Sequence, residues 1–133
     1  MPEPRRIRIS SDGDVVLARQ AGRALASELG FAGSDLTVIA TAISELARNI
    51  VVYAKDGEIQ MTECHTGGRR GIEVVANDKG PGIPDIAKAM EDGFSTGKSL
   101  GLGLPGSKRL MDDFEITSKV GKGTTVLVRK WIR

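Results

Sequence analysis

Four short strings in this chain carry residue types capable of chemistry. Glu45 and Asn49 stand four apart in a helix-like run, which puts them on one helical face, with Arg48 beside them. Asp78 ends a strand-like run and is followed by Gly80 and Gly82 in Asp-Lys-Gly-Pro-Gly. Gly101-Leu102-Gly103-Leu104 opens a second helical pattern. Between these lies a polar, Gly-containing stretch that includes Lys98 and Ser99. Glycines let backbone N–H groups approach phosphates, and a helix N-terminus favours an anion. A carboxylate at a strand end accepts a hydrogen bond from an amino group such as that of adenine. Together the strings point to a nucleotide site.

Each string alone is weak. Turns produce Asp-x-Gly-x-Gly often, and a solvated helix face with a local Glu45–Arg48 pair is the plainer account of that helix. There is no GxxxxGK[ST] loop and no strand-GxGxxG-helix unit, so the commonest nucleotide folds are unsupported. The weight lies in the order and spacing of the set.

The elements that must position these residues follow from periodicity. Residues 5–10 alternate as a strand, with Ile7 and Ile9 on one face. The turn Ser11-Asp12-Gly13-Asp14 leads to a helix over 15–29, which Gly30 stops. Ser34 and Asp35 are placed to cap a second helix from Leu36 to about Tyr53, with Leu36, Ile39, Ala40, Ile43, Ala47 and Ile50 as its apolar stripe. Strands over 58–65 and 71–76 flank a Gly67-Gly68 hairpin, and the second delivers Asp78. Residues 85–90 read as helical turns and 91–100 as a mobile lid. A helix over 103–111 and strands over 114–119 and 124–131 complete the order. The expected architecture is a two-layer α/β (α+β) sandwich, with helices on one face of a mixed sheet.

At 133 residues the chain is expected to be one domain, 1–133, large enough for one proper core. A net charge of +2 gives no electrostatic case for a nucleic-acid partner. Arg5, Arg6, Arg8, Arg129, Lys130 and Arg133 concentrate at the two ends, either as solvated strand ends or as a surface for an acidic partner. Cys64 is the single cysteine, which excludes an internal disulfide and fits a reducing compartment. His65, the single histidine, has no companions for a zinc site. With no leader and no unbroken run of about 18 apolar residues, the expectation is a cytoplasmic protein without a membrane partner.

The ordered set — Glu-x-x-x-Asn helix, Asp-x-Gly-x-Gly, lid, Gly-Leu-Gly-Leu helix, Gly-Lys-Gly-Thr turn — resembles the GHKL ATPase/kinase superfamily over most of the chain. The strings ISELARNIVVYA, DKGPGIPDI, MEDGFST, GLGLPGSKRLMDDF and the terminal KWIR are most similar to the stressosome switch serine/threonine-protein kinases, relatives of the anti-sigma factors. The resemblance implies a histidine-kinase-like ATPase fold, ATP and Mg2+ as cofactors, and transfer of phosphate to serine or threonine. It implies Glu45 as the acid that activates the attacking hydroxyl and Asn49 as the magnesium ligand. Asp78 becomes the adenine-binding acid, with Gly80 and Gly82 shaping the base pocket and Thr124 near the adenine. Gly101, Leu102, Gly103 and Leu104 become the phosphate-binding turn, with Lys98 and Ser99 reaching toward the γ-phosphate. The implied partners are STAS-domain stressosome proteins as substrates and a PP2C-type phosphatase that the kinase activates when released. The alternative is an anti-sigma-like, nucleotide-gated binding module without significant kinase output.

Overall fold

The computed structural model describes residues 4–82 and 103–133. Among the described residues, five strands and three α-helices follow in the order β1 (Arg5–Ile9), α1 (Asp12–Leu29), α2 (Ser34–Asn49), β2 (Gly57–Thr66), β3 (Arg69–Asp78), α3 (Gly103–Leu110), β4 (Asp113–Lys119) and β5 (Gly123–Trp131). The strands form one sheet in the order β1-β2-β3-β5-β4. The two-layer arrangement is as expected, and the mixed sheet is sharpened: all four pairings are antiparallel.

Alternation decides which sheet face is covered. Ile59 and Met61 on β2, Ile72, Val74 and Ala76 on β3, and Val126 and Val128 on β5 are all buried. They share one core with Ala18, Ala26 and Leu29 of α1 and Ile39, Ile43, Leu46 and Ala47 of α2. Fully burying a side chain such as Ile43 contributes about 1.5–3 kcal/mol. Gly22 lets α1 and α2 close on the sheet: a Cβ there would lie 2.1 Å from Ile43 Cδ1 and 3.4 Å from Met61 Sδ.

The helix ends differ in detail from their sequence signals. α1 starts at Asp12, and its first turn is fastened by Asp14, whose Oδ2 accepts from Ser10 N at 2.9 Å and Ser10 Oγ at 3.1 Å. These bonds hold the Asp14 carboxyl below its ordinary range, the Ser10 backbone N–H being the largest cause. Gly30 ends α1 at φ 108°, as its position predicts. α2 starts at Ser34 after Gly33, and neither Ser34 nor Asp35 makes the expected capping bond. α2 closes at Asn49 and runs on as a π-helical turn, Ile50–Ala54, ended by Lys55 at φ 69°.

By length and a hydropathy of 1.3, Ser34–Ala54 is long and apolar enough to cross a membrane. Ile39, Ile43, Leu46, Ala47 and Ile50 are the core face of a helix packed on α1, α3 and the sheet, while Val52 and Tyr53 are exposed. The cationic strand ends find acids within the chain: Arg5 pairs with Glu28 at 2.7 Å, Arg8 with Asp56 at 3.1 Å and Arg129 with Glu73 at 2.8 Å.

Candidate functional site

β3 and β5 pair so that Asp78 lies opposite Thr124, at the strand ends nearest the α2 terminus. The Asp78 Oδ1 atom accepts from Gly80 N at 2.9 Å and from Thr124 N at 3.3 Å. The first bond folds the Asp-Lys-Gly turn back on its own carboxylate. Both bonds fall on one oxygen, so the side chain is fixed, and no donor among the described residues reaches Oδ2. Thr124 has a second link, an oxygen–oxygen contact of 2.8 Å between its Oγ1 and Ser118 Oγ. Sequence reasoning had no signal for Ser118, because only the β4–β5 register sets it opposite Thr124.

Absent side chains shape this corner as much as present ones. A Cβ on Gly80 would lie 2.6 Å from Ala54 Cβ, so this loop sits directly on the π-helical turn. Gly82, at φ 80°, comes so near β4 that a Cβ would lie 2.3 Å from Lys119 O. Two further glycines have the same property. A Cβ on Gly57 would meet Asn77 O at 2.7 Å and Ile50 Cγ2 at 2.8 Å, and one on Gly123 would meet Asp78 O at 2.0 Å. Gly57 reads as a turn residue in sequence, but the register puts it in β2 opposite Asp78. Its bareness lets the end of α2 and the Asp78 strand end converge.

The helix side of the site is built from one turn of α2. Glu45 is 7% exposed, far from the solvated face that spacing alone allows. The local pair is formed all the same: Arg48 Nη1 donates to Glu45 Oε1 at 3.1 Å, with the two side chains 45% and 9% exposed. Asn49, one turn on, carries a buried amide nitrogen with no hydrogen-bond partner among the described residues. An unpartnered buried amide N–H group costs about 1–3 kcal/mol, a cost that only a hydrogen-bond acceptor at that position would relieve. The π-helical turn begins at the next residue, and such insertions recur at functional sites.

On the far side, the Gly103 backbone opens α3. Leu104 packs its side chain against the core, which leaves its backbone for the turn. Lys98, Ser99, Gly101, Leu102 and the lid over 91–100 lie outside the described residues. Among the described residues, no group of three or more His, Cys, Asp and Glu side chains converges as a metal cage. Magnesium bound mainly by phosphate and water needs no such cage. Cys64, on β2, has its thiol pushed upward by burial and then by the Glu73 charge, which disfavours the reactive thiolate. A cleft of about 250 Å³ between α1 and β2, lined by Leu25, Glu28 and Glu63 among others, is formed by none of the site residues.

Buried Glu45 and the Asn49 amide share one turn of α2, and the π-helical turn that follows meets the Asp78 strand end at Gly57 and Gly80. The model of the histidine kinase-like ATPase domain matches residues 10–130, and the chain belongs to that family. Within it, the chain is 54% identical over 127 residues to the serine/threonine-protein kinase RsbT of Bacillus subtilis, covering 96% of each chain. It is 33% identical over 130 residues to the anti-sigma F factor of Thermoanaerobacter sp., covering 93% of this chain and 90% of that one. The anti-sigma F factor of Geobacillus kaustophilus is 30% identical over 122 residues, with 86% and 82% covered. These similarities put the chain on the GHKL branch shared by a serine/threonine kinase and the anti-sigma F factors. Protein serine/threonine kinase is the enzyme class they support, with ATP as the nucleotide.

Proposed function

We propose that this chain is a cytoplasmic protein serine/threonine kinase that transfers the γ-phosphate of ATP to STAS-domain stressosome proteins and, once released, activates a PP2C-type phosphatase. The observation that carries the catalytic part is the single α2 turn holding buried Glu45 and the partnerless amide of Asn49. The substrate and phosphatase classes rest on the likeness to the serine/threonine-protein kinase, not on the site itself.

In this reading Asp78 Oδ2 accepts from the adenine amino group, and Gly80 and Gly82 keep the base pocket open. Thr124 fixes the pocket wall by its backbone bond to Asp78. Asn49 would hold Mg2+ through its amide oxygen, and the ion when bound supplies charge neutralisation on the phosphates. The Gly101–Leu104 turn offers backbone N–H groups to the phosphates, with Lys98 and Ser99 near the γ-phosphate. The oxygen of the substrate hydroxyl bonds to the γ-phosphorus while the bond to the β–γ bridging oxygen breaks. The hydroxyl proton passes to Glu45, and ADP departs. Such a transfer asks mainly for positioning and electrostatics.

Labelled ATP, magnesium and a small STAS-domain protein give the test. The expected result is label on serine or threonine of that protein. A chain that binds ATP tightly but labels no STAS-domain protein overturns the reading. That outcome favours the second reading, a nucleotide-gated binding module, which the anti-sigma relatives support.

A further inference from the structure

Arg48 lies between the two residues assigned to chemistry on α2, three positions after Glu45 and one before Asn49. Its guanidinium is half exposed, yet Nη1 reaches in to Glu45 Oε1 at 3.1 Å. That bond is the only polar contact of the Glu45 side chain among the described residues. A buried carboxylate with one donor is fixed at one oxygen and open at the other.

We propose that Arg48 is a positioning residue for phosphoryl transfer, clamping Glu45 Oε1 so that Oε2 faces the incoming hydroxyl. The proposal rests on Glu45 being the proton acceptor. In a loose transition state the hydroxyl proton leaves late, so the placement of the accepting carboxylate matters more than its strength as a base. A free glutamate samples many rotamers, and misplacement by about 1 Å can cost on the order of a hundredfold in rate. Stability alone gives a poor reason for the pair. Buried and half-buried ion pairs are often no better than apolar packing, although removing one partner is harmful. A side chain on the solvent edge of α2, reaching inward to one carboxylate oxygen, is accounted for by orientation.

The test compares Arg48→Met, Arg48→Lys, Glu45→Gln and the Arg48→Met/Glu45→Gln double variant. Each is measured for single-turnover transfer at saturating ATP to a saturating STAS-domain acceptor, for ATP affinity and for unfolding midpoint. Arg48→Met is expected to slow transfer about a hundredfold, with ATP affinity held within about twofold. Arg48→Lys, which keeps a charged donor, is expected to recover most of that loss. The double variant is expected to be no slower than Glu45→Gln, because a positioner is worthless without the group it positions. Should Arg48→Met fail to fold, Arg48→Gln takes its place with the same expectation against Arg48→Lys. A wild-type rate in the folded Arg48 variant overturns the proposal. So does a loss of rate matched by a loss of ATP affinity, or a double variant slowed by the full product of the two single effects. Those results leave the kinase reading intact if Glu45→Gln is inactive. Wild-type transfer by Glu45→Gln instead removes the base assignment, and the role of Arg48 falls with it.

Discussion

The two halves of the site are finished to different degrees. Around Asp78, two backbone N–H groups hold one carboxylate oxygen, and glycines at 57, 80, 82 and 123 let four segments meet. On α2, among the described residues, Glu45 has one side-chain partner and the buried Asn49 amide nitrogen has none. On the proposed function, the difference separates recognition from reaction. A base pocket gains affinity from being built before its ligand arrives. A reacting centre must keep polar capacity unspent for groups present only during the reaction, and it carries that cost in the resting protein.

The sharpest way to break this contrast is Glu45→Gln. If the α2 half is the reacting centre, transfer falls about a hundred- to ten-thousand-fold while ATP affinity is unchanged. Single-turnover rates beside calorimetric titration check it, and a parallel fall in affinity would merge the two halves into one binding surface.

Next in size is Asp78→Asn. The amide keeps an Oδ1 acceptor for Gly80 N and Thr124 N, so the fold should hold. The Oδ2 acceptor becomes a donor, and a lost bond to a charged acceptor is worth about 1.5–3 kcal/mol, or roughly ten- to 150-fold in ATP affinity. Unchanged affinity in titration would take Asp78 out of the base pocket.

A smaller effect is expected from Gly80→Ala, which pushes a methyl into Ala54. Overpacking of this kind costs about 1–3 kcal/mol. It should appear as a lower denaturation midpoint with weaker ATP binding, because the same loop shapes the pocket. A stability loss without any change in binding would separate the loop from the nucleotide.

The smallest effect sits remote from both halves. Asp14 has a lowered pKa in the folded protein through Ser10, so its stabilisation is present above the unfolded carboxylate value of about 3.9 and is lost as pH falls through the lower folded value. Asp14→Asn should therefore lower the denaturation midpoint slightly at pH 7, and the gap from wild type should close in acid. A gap that persists at low pH would mean packing, not charge, fastens the first turn of α1. ATP affinity should not move, which sets the scale of an ordinary surface carboxylate.

Periodicity was enough for the layers. The alternation of Ile72, Val74 and Ala76 and the helical stripe from Ile39 to Ile50 fix which faces go inward, because apolar burial follows local spacing. Spacing likewise set Glu45 and Asn49 on one face and Asp78 at a strand end, and the ordered motifs identified the ATPase family. The helix caps were less legible. Ser34 and Asp35 have capping chemistry but make no such bond, whereas Asp14, inside its helix, accepts from Ser10 just before it. A short side chain chooses among nearby N–H groups by local geometry that composition does not encode.

The sequence by itself determined the elements, the inward faces and the family, since these depend on neighbours a few positions apart and on the order of the motifs. Only the tertiary structure decided that Glu45 is buried, that Asn49 is left without a partner and that Gly57 must be bare beside Asp78. Each depends on segments far apart in the chain meeting at one point, where strand register and helix packing, not local spacing, decide which atoms are close enough to bond or collide.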